Sequence, residues 1–390
     1  MSWPTEKLGN LVLIKGGGTP SKKIEEYWNG NIPWASVKDL KSRLLLGTED
    51  SITQLGVEKS ATNIVPRGTI IVPTRMALGK VVVAGVDLAI NQDLKALIIN
   101  DEEVLDKNYL SRFLESKAKY IESEGKGATV KGITLDFLKG LDVPLPPLEE
   151  QKRIAAILDK ADGARQKRKQ AIDLADEFLR SVFLDMFGEP VTNPKGFPVG
   201  TIRDIVSTVN YGTSGKASEI DGEFPILRMG NITYKGGWDF SALKYIDLDD
   251  KEQDKYLARK NDLLFNRTNS KELVGKTAVF NESKPMAIAG YLIRVRTNEL
   301  GNPWYISGYL NSTHGKQTLL NMCKSIVGMA NINAQELQDI NILLPPVELQ
   351  NKYESIVKEV NERVSRHHES VKELQVLFNS LSQKAFSGQL

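Results

Sequence analysis

Cysteine and histidine are scarce in this sequence of 390 residues. Cys323 is its single cysteine, which excludes an internal disulfide and a zinc site built from several thiolates. The three histidines are His314, His367 and His368, and the adjacent pair lacks the i, i+4 spacing that places two ligands on one helix face. We therefore expect no metal site in this chain.

Long apolar runs and an excess of charge of one sign are also missing. No run of about 18 apolar residues could span a bilayer, and the segment 1–7 lacks the basic stretch and apolar core of a signal peptide. We therefore expect a cytoplasmic protein that does not contact membranes. The formal net charge is only +2, so binding to a polyanion would depend on local clusters of Lys and Arg.

Sequence signatures of two enzyme classes are absent as well. An adenine methyltransferase needs an Asn-Pro-Pro-aromatic loop, and the segments 193–195 and 302–304 lack the second proline. The triple glycine at 16–18 is not followed by the Gly-Lys-Ser/Thr of a nucleotide-binding P-loop. We therefore expect a chain with no catalytic residues and no cofactor of its own.

An internal repeat is the strongest positive feature of the sequence. The segment Leu-Pro-Pro-Leu-Glu-Glu-Gln at 145–151 returns 199 residues later as Leu-Pro-Pro-Val-Glu-Leu-Gln at 344–350. Each copy precedes a long segment without proline that is rich in Lys, Glu, Gln, Ala and Leu. A fixed offset of this size indicates a duplicated module.

Both proline-free segments carry apolar residues at a period of about 3.5, which is typical of a coiled coil. A helix of about 35 residues would be roughly 50 Å long. The predicted seam consists of Ile154, Leu158, Ile172 and Leu179 in the first segment and of Val357, Val364, Val371 and Phe378 in the second. Two unrelated amphipathic helices are the alternative, but one offset aligns the prolines, both seams and Phe187 with Phe386.

The regions upstream of each long segment contain short, β-rich apolar runs followed by a helical stretch, which predicts mixed α/β domains. The predicted fold class is therefore α+β: two mixed α/β domains separated by two long helices that form an antiparallel coiled coil, with a pseudo-twofold internal repeat. The predicted limits are 1–147 for the first domain, 148–188 for the central helix, 189–346 for the second domain and 347–390 for the last helix.

An ordered set of motifs covers nearly the whole chain and resembles the specificity subunits of type I restriction-modification systems. The motifs are 146–154, 183–188, 17–21, 27–34, 267–269, 274–276 and 345–388. The resemblance implies a non-catalytic subunit with two target-recognition domains, each reading half of a bipartite sequence in double-stranded DNA. It also implies two methyltransferase subunits docked on the helices and two ATP-dependent restriction subunits. S-adenosylmethionine, ATP and Mg would be bound by those partners.

Candidate DNA contacts follow from residue type, because Arg, Lys, Asn and Gln read base edges while phosphates accept almost any donor. In the first domain they are Lys15, Thr19, Ser21, Lys22, Lys38, Arg75, Lys80, Lys126 and Lys131. In the second they are Tyr211, Thr213, Ser214, Lys216, Arg228, Asn231, Arg267, Asn269, Lys271, Lys276, Lys324 and Asn331. Arg75 and Arg267 follow comparable apolar runs, although the register slips by one residue.

Three other interpretations remain open from the sequence. The chain could serve a fused methyltransferase-nuclease, which the neighbouring reading frames would reveal. It could be a duplicated coiled-coil adaptor that binds proteins only, which would show no preference among DNA sequences. It could also be an unrecognised enzyme, for which methyl transfer by the isolated chain would be the evidence.

Overall fold

The structure is a computed structural model that describes residues 3–127, 129–323 and 329–390. The chain divides into two compact units. Unit 1 comprises Met1–Arg168 and Ser370–Leu390, and unit 2 comprises Lys169–Glu369. Each unit therefore contains one globular domain and a part of both long helices.

Unit 1 is built mainly on two sheets. Its strands are β1 (Thr5–Lys7), β2 (Val12–Gly16), β3 (Trp28–Ala35), β4 (Leu44–Leu45), β5 (Asp50–Ile52), β6 (Asn63–Val65), β7 (Ile70–Pro73), β8 (Val82–Ala84), β9 (Leu88–Ile90), β10 (Leu94–Ile99) and β11 (Asp142–Pro144). Its helices are α1 (Leu8–Leu11), α2 (Gln54–Glu58), α3 (Lys107–Ser116), α4 (Ala118–Ser123), α5 (Leu135–Lys139) and the first part of α6 (Leu148–Phe187). The strand orders are β2-β10-β7-β8-β4 and β5-β3-β9-β6, with a separate pair β1-β11.

Unit 2 has a closely similar set of elements. Its strands are β12 (Val199–Thr201), β13 (Val206–Tyr211), β14 (Phe224–Leu227), β15 (Lys244–Ile246), β16 (Leu257–Ala258), β17 (Leu263–Asn266), β18 (Thr268–Asn269), β19 (Thr277–Val279), β20 (Met286–Ile288), β21 (Leu292–Thr297), β22 (Ala330–Asn331) and β23 (Asn341–Leu343). Its helices are α7 (Asp250–Tyr256), α8 (Pro303–Asn311), α9 (Thr313–Met322), α10 (Ala334–Gln338) and the first part of α11 (Val347–Ser387).

The strand topology of the two units confirms the predicted internal repeat. The order β13-β21-β17-β19 in unit 2 reproduces β2-β10-β7-β8 in unit 1, and β15-β14-β20-β16 reproduces β5-β3-β9-β6. The parallel pair β3/β9 has its counterpart in the parallel pair β14/β20. The terminal pair β1-β11 corresponds to β12-β23. The mixed α/β character predicted for both domains is thus correct.

The long helices begin directly after the two Pro-Pro segments. Helix α6 has 40 residues and α11 has 41, somewhat more than the length suggested by the apolar period. A proline can occupy the first turn of a helix because the amide hydrogen that it lacks has no partner there. In unit 1 the two helices run antiparallel, since Arg153 of α6 bonds to the carbonyl of Leu390 while Arg165, further along α6, bonds to the earlier Gln375.

The seam residues of the helices extend the cores of both units. In unit 1, Ile154 and Leu158 are fully buried and Phe378 packs against the same core. In unit 2, Val357 is buried and Leu179 packs beside it. The remaining seam residues are half-buried: Ile172, Val364 and Val371.

A phenylalanine at the end of a long helix inserts into each globular domain. In unit 2 the ring of Phe187 lies 4.6 Å from Tyr305 and 5.5 Å from Tyr353, between centroids. In unit 1 the ring of Phe386 lies 5.4 Å from Tyr109. Burying a side chain of this size contributes about 1.5–3 kcal/mol to stability. The same aromatic contact therefore holds a helix end to each domain.

A buried glutamine in the first turn of each long helix joins that helix to the preceding domain. In unit 1 the Oε1 atom of Gln151 accepts from the backbone N–H of Asp106 at 2.9 Å. Its Nε2 atom donates to the carbonyls of Val104 and Pro146, both at 2.9 Å. The side chain thus bonds to two backbone groups of the segment before α3 and to one at the start of α6, which joins the helix to the domain.

Gln350 makes the same three bonds in unit 2. Its Oε1 atom accepts from the N–H of Asn302 at 2.8 Å, and its Nε2 atom donates to the carbonyls of Leu300 and Pro345 at 3.0 and 2.8 Å. Gln350 follows Gln151 at the repeat offset of 199 residues. The repeat therefore preserves a polar contact inside the protein as well as the apolar pattern.

No helix formed by the described residues combines the length and the apolar character needed to cross a membrane.

We expect Gln350→Ala to lower the free energy of unfolding by about 1–3 kcal/mol, because it leaves buried backbone groups without hydrogen-bond partners. Gln151→Ala should have an effect of the same size, since the contacts are the same. Denaturant unfolding followed by circular dichroism measures both. The control is Gln317→Ala on the exposed face of α9, which should change stability by less than about 0.5 kcal/mol. Equal effects of Gln350→Ala and the control would contradict the structural role.

Candidate nucleic-acid interface

A glycine with no room for a side chain follows the first long strand of each domain. A Cβ atom on Gly17, after β2, would lie 2.0 Å from the carbonyl oxygen of Ile90, and one on Gly212, after β13, would lie 2.3 Å from that of Ala289. The backbone therefore passes the neighbouring strand at a distance that only glycine allows. These turns fix where the polar segments that follow leave the two sheets.

In unit 1 the turn brings Thr19 and Arg75 to one edge of the domain. The hydroxyl of Thr19 donates to Oε1 of Gln92 at 2.5 Å. The guanidinium of Arg75 lies 3.7 Å from a carboxylate oxygen of Asp93, the next residue after Gln92. Thr19 and Arg75, which are far apart in sequence, thus approach the same two-residue turn.

The loop after α4 joins the same edge. Both Arg75 and Lys126 form isolated β-bridges with Gly132, and the carbonyl of Lys131 accepts from the N–H of Met76 at 3.0 Å. The side chains of Arg75, Lys126 and Lys131 are exposed. Four of the predicted contact residues, counting Thr19, therefore form one basic and polar surface, which we call the unit 1 edge.

The other candidates of unit 1 lie outside this surface or have internal partners. Lys38 forms ion pairs with Asp50 at 2.9 Å and Glu49 at 3.3 Å, and the hydrogen bonds to these carboxylates raise its pKa. The ammonium of Lys80 donates to the carbonyl of Leu40 at 2.9 Å. Lys15, Ser21 and Lys22 are exposed around the glycine turn.

In unit 2 the corresponding edge carries an ordered arginine, Arg267. Its guanidinium carbon lies 4.6 Å from the centre of the Tyr211 ring, and its Nε atom donates to Oδ1 of Asn331 at 3.2 Å. The hydroxyl of Thr268 donates to the same oxygen at 2.8 Å. Three residues predicted from the sequence, Tyr211, Arg267 and Asn331, thus form one group, which we call the unit 2 edge; Tyr211 and Asn331 are exposed and Arg267 is half-buried.

Several candidates of unit 2 have structural roles in the interior. Asn231 is buried, and its side chain accepts from the N–H of Arg228 at 2.9 Å. The hydroxyl of Thr213 is buried and accepts from the N–H of Gly215 at 3.0 Å. The ammonium of Lys276 donates to the carbonyl of Met229 at 2.7 Å, and burial lowers its pKa.

The remaining candidates of unit 2 lie at the surface or outside the described residues. Asn269 is half-buried and accepts from the N–H of Ser270 at 2.8 Å. Ser214, Lys216 and Lys271 are exposed. Lys324 lies outside the described residues. The structure thus leaves fewer side chains free to contact a ligand than residue type alone predicted.

Arg75 and Arg267 do not occupy equivalent positions. The N–H of Ile133 bonds to the carbonyl of Thr74, and the N–H of Ile332 bonds to that of Arg267, both at 2.9 Å. Since Ile133 and Ile332 are related by the repeat offset of 199 residues, Arg267 corresponds to Thr74. The slip of one residue noted in the sequence is therefore real, and the two edges carry different side chains.

Tyr291 is an edge residue that the sequence reasoning missed. It is 53% exposed, and its carbonyl accepts from the N–H of Arg267 at 3.0 Å. Tyr291 thus adds an exposed aromatic side chain at the backbone position that neighbours Arg267. Its position directly after Gly290 and before β21 was the signal that the sequence offered.

Among residues 3–127, 129–323 and 329–390 there is no cluster of His, Cys, Asp and Glu side chains that could hold a metal ion.

Comparisons with known proteins agree on one family. The sequence profile of the type I restriction modification DNA specificity domain matches residues 2–174 and 194–375. The MjaIX specificity subunit of Methanocaldococcus jannaschii, from a type I restriction enzyme, is 24% identical over all of this chain and 93% of its own length. The EcoR124I/EcoR124II specificity subunit of Escherichia coli is 38% identical over 42% of this chain and 41% of its own length.

A solved structure shows the same fold. The S subunit of a type I restriction-modification system from M. genitalium superimposes with a TM-score of 0.63 at 17% identity, covering 99% of this chain and 96% of that chain.

We expect Lys216→Gln and Lys126→Gln to weaken the binding of duplex DNA and to make it less sensitive to salt. Removing one phosphate contact should reduce the slope of log K against log salt concentration by about 0.9. Titrations of labelled duplex at several salt concentrations measure the slope. The control is Lys276→Gln, which removes a buried amine that donates to the carbonyl of Met229. This variant should lower the thermal midpoint of unfolding and leave the salt slope unchanged. Wild-type slopes for both exposed variants would contradict their assignment to the interface.

Proposed function

This chain belongs to the family of type I restriction-modification DNA specificity subunits, and we propose that it reads a bipartite target in double-stranded DNA and docks methyltransferase subunits on its long helices. The observation that carries the proposal is the repeated domain with the same strand order, each copy followed by a long helix. Each globular domain reads one half-site. Membership of a DNA specificity family favours this function over that of an adaptor that binds proteins only.

The two edges support the assignment of one half-site to each domain. The glycine turns and strand orders are shared, whereas the side chains differ: Arg267 and Tyr211 in unit 2 have Thr74 and Gly16 at the equivalent positions of unit 1. Phosphate contacts orient a protein on DNA, and contacts to base edges specify the sequence. A common scaffold with different edge residues is therefore suited to two half-sites of different sequence.

We assign to the long helices the role of setting the length of the unread DNA spacer between the half-sites. A helix of 40 residues, the length of α6, extends about 60 Å. One turn of DNA is about 34–36 Å, so half-sites about one turn apart present the same side of the duplex to two readers. No residue of the helix pair needs to reach a base, which leaves the intervening sequence without influence on binding.

Exposed apolar side chains on the helices support docking of partners. On α6, Leu174 and Phe178 lie one helical turn apart and are 52% and 53% exposed. On α11, Val376 and Leu377 are exposed, and Leu377 follows Phe178 at the repeat offset of 199 residues. Exposed apolar patches of this kind mark interaction surfaces.

The exposed apolar position that recurs at the repeat offset, Phe178 and Leu377, gives each half of the chain a related site, which suits two identical partners. We assign these surfaces to two methyltransferase subunits, with two ATP-dependent restriction subunits joining for cleavage. This chain contributes recognition and no chemistry. S-adenosylmethionine, ATP and Mg are bound by the partner subunits.

Lengthening both helices should lengthen the spacer. Inserting three heptads into the middle of α6 and three into α11 adds about 32 Å to each, which is close to one DNA turn. We expect the methylated motif to keep both half-sites and to gain about ten unread base pairs, a number set by the helical repeat of DNA. Methylation-sensitive sequencing of a host that carries the variant with its methyltransferase partner measures the motif.

The matched control for this experiment places the same insertion in the linker between Phe187 and β12. That insertion lengthens the chain without lengthening the helices, so the spacer should stay as in the wild type. A wild-type spacer in the helix variant, or a lengthened spacer in the linker variant, would show that the helices do not set the distance.

Replacing Phe178 and Leu377 by glutamate should weaken the association with methyltransferase subunits by at least tenfold, because a charge would be buried in each contact. Binding of the isolated chain to DNA should change little, since neither residue belongs to the unit 1 edge or the unit 2 edge. Sedimentation analysis of the mixed subunits measures the association. Leu300→Glu, at an exposed apolar position of unit 2 outside the helices, is the control. Normal assembly of the double variant would remove the helices from consideration as the docking surface.

A further inference from the structure

Arg267 is held in one orientation before any ligand binds. Its guanidinium stacks on the ring of Tyr211 at 4.6 Å, and its Nε atom donates to Oδ1 of Asn331 at 3.2 Å. A guanidinium fixed by a ring on its face and an acceptor at Nε retains little rotational freedom. The entropy cost of ordering this side chain on binding is therefore already met by folding.

The two residues that hold Arg267 are themselves held by the backbone. The Tyr211 hydroxyl accepts from the N–H of Ala334 at 3.0 Å, at the start of α10. Asn331 is paired with Thr268 in the β18-β22 ladder, and the Thr268 hydroxyl donates to its Oδ1 atom at 2.8 Å. The orientation of Arg267 thus depends on two backbone elements rather than on other mobile side chains.

The contacts of Arg267 leave its outer edge available. The bond to Asn331 uses the Nε–H group alone, which leaves the N–H groups of Nη1 and Nη2. Among the ion pairs of the described residues, none involves Arg267, so its charge is not neutralised by a neighbouring carboxylate. Two parallel donors with a positive charge match a planar pair of acceptors.

Guanine presents such a pair in the major groove, O6 and N7, and a bidentate contact from arginine is the commonest specific contact to a base. Resting on the proposed function above, we propose that Arg267 reads a guanine in the half-site bound by unit 2, with Tyr211 and Asn331 as positioning residues. A phosphate contact needs only charge, for which a mobile lysine suffices, whereas a stacked guanidinium adds the fixed plane that a base edge requires.

The internal repeat does not preserve Arg267 and Tyr211, so only the half-site of unit 2 can be read in this way. Thr74 occupies the position of Arg267 in unit 1, and its buried hydroxyl donates to the carbonyl of Asp93 at 3.2 Å. Gly16, which ends β2 as Tyr211 ends β13, offers no ring for stacking. Loss of Arg267 should therefore alter one position of one half-site and leave the other half-site unchanged.

The test is a comparison of base preferences between the full chain and its variants, each assembled with the methyltransferase partner. Selection of bound duplexes from a randomised library gives the preference at every position. The half-site of unit 2 is identified beforehand with a thiol-reactive photocrosslinker attached to Ser214→Cys in a Cys323→Ser background. In the wild type we expect a guanine within that half-site.

Arg267→Ala should reduce the preference for that guanine by about 10- to 100-fold, the usual worth of a good bidentate pair. Arg267→Lys should retain most of the affinity, because the charge remains, yet lose the preference, because lysine cannot form the planar pair. Tyr211→Leu and Asn331→Ala should reduce the same preference to a smaller extent. Arg75→Ala in unit 1 is the control and should leave the guanine preference intact.

Two outcomes would overturn the inference. One is a unit 2 half-site without guanine, and the other is an Arg267→Ala variant that keeps the wild-type base preferences, including one whose affinity falls evenly for all sequences, as expected of a phosphate contact. Both are distinct from failure of the proposed function, in which the wild-type complex would select no bipartite motif at all. A bipartite motif with unaltered base preferences in Arg267→Ala would reject this inference alone.

Discussion

The contact between each long helix and the domain that precedes it is the constraint on which the proposed function depends. Gln151 and Gln350 make the same three backbone hydrogen bonds at the first turn of α6 and α11. A helix can set a distance between two readers only if each reader is rigid relative to its helix. A buried amide that makes three hydrogen bonds to the backbone supplies that rigidity, because tilting the helix would leave several polar groups without partners at once.

The two copies of the repeated module share their scaffold and differ in the side chains at their edges. The strand orders, the glycine turns and the aromatic contacts of Phe187 and Phe386 are common to both units. The edges differ in individual side chains: unit 2 has the half-buried Arg267 where unit 1 has the buried Thr74. A scaffold whose strand order tolerates such differences allows the edge residues to change with the sequence that is read.

The net charge of the chain is only +2, so its charged side chains act mainly through local contacts. Arg112, 3% exposed, is enclosed by Asp159 at 2.6 Å, Glu115 at 2.8 Å and Asp162 at 3.2 Å. An arginine that is paired in this way is not available to contact DNA. Replacing it by a neutral residue would be costly, because its carboxylate partners would lose the charge that compensates them. The cations of the unit edges are the ones that we propose contact DNA, where affinity depends on geometry more than on a long-range field.

The sequence alone determined the repeat, the two long helices and the mixed α/β class, because proline positions and apolar periods are local properties that survive in any tertiary context. Which polar side chains can reach a ligand was decided only by the tertiary structure. Lys276 and Asn231 have the right chemistry for DNA but bond to the backbone inside unit 2. Burial depends on residues that are distant in the chain, so residue type alone could not separate these two side chains from the candidates at the surface.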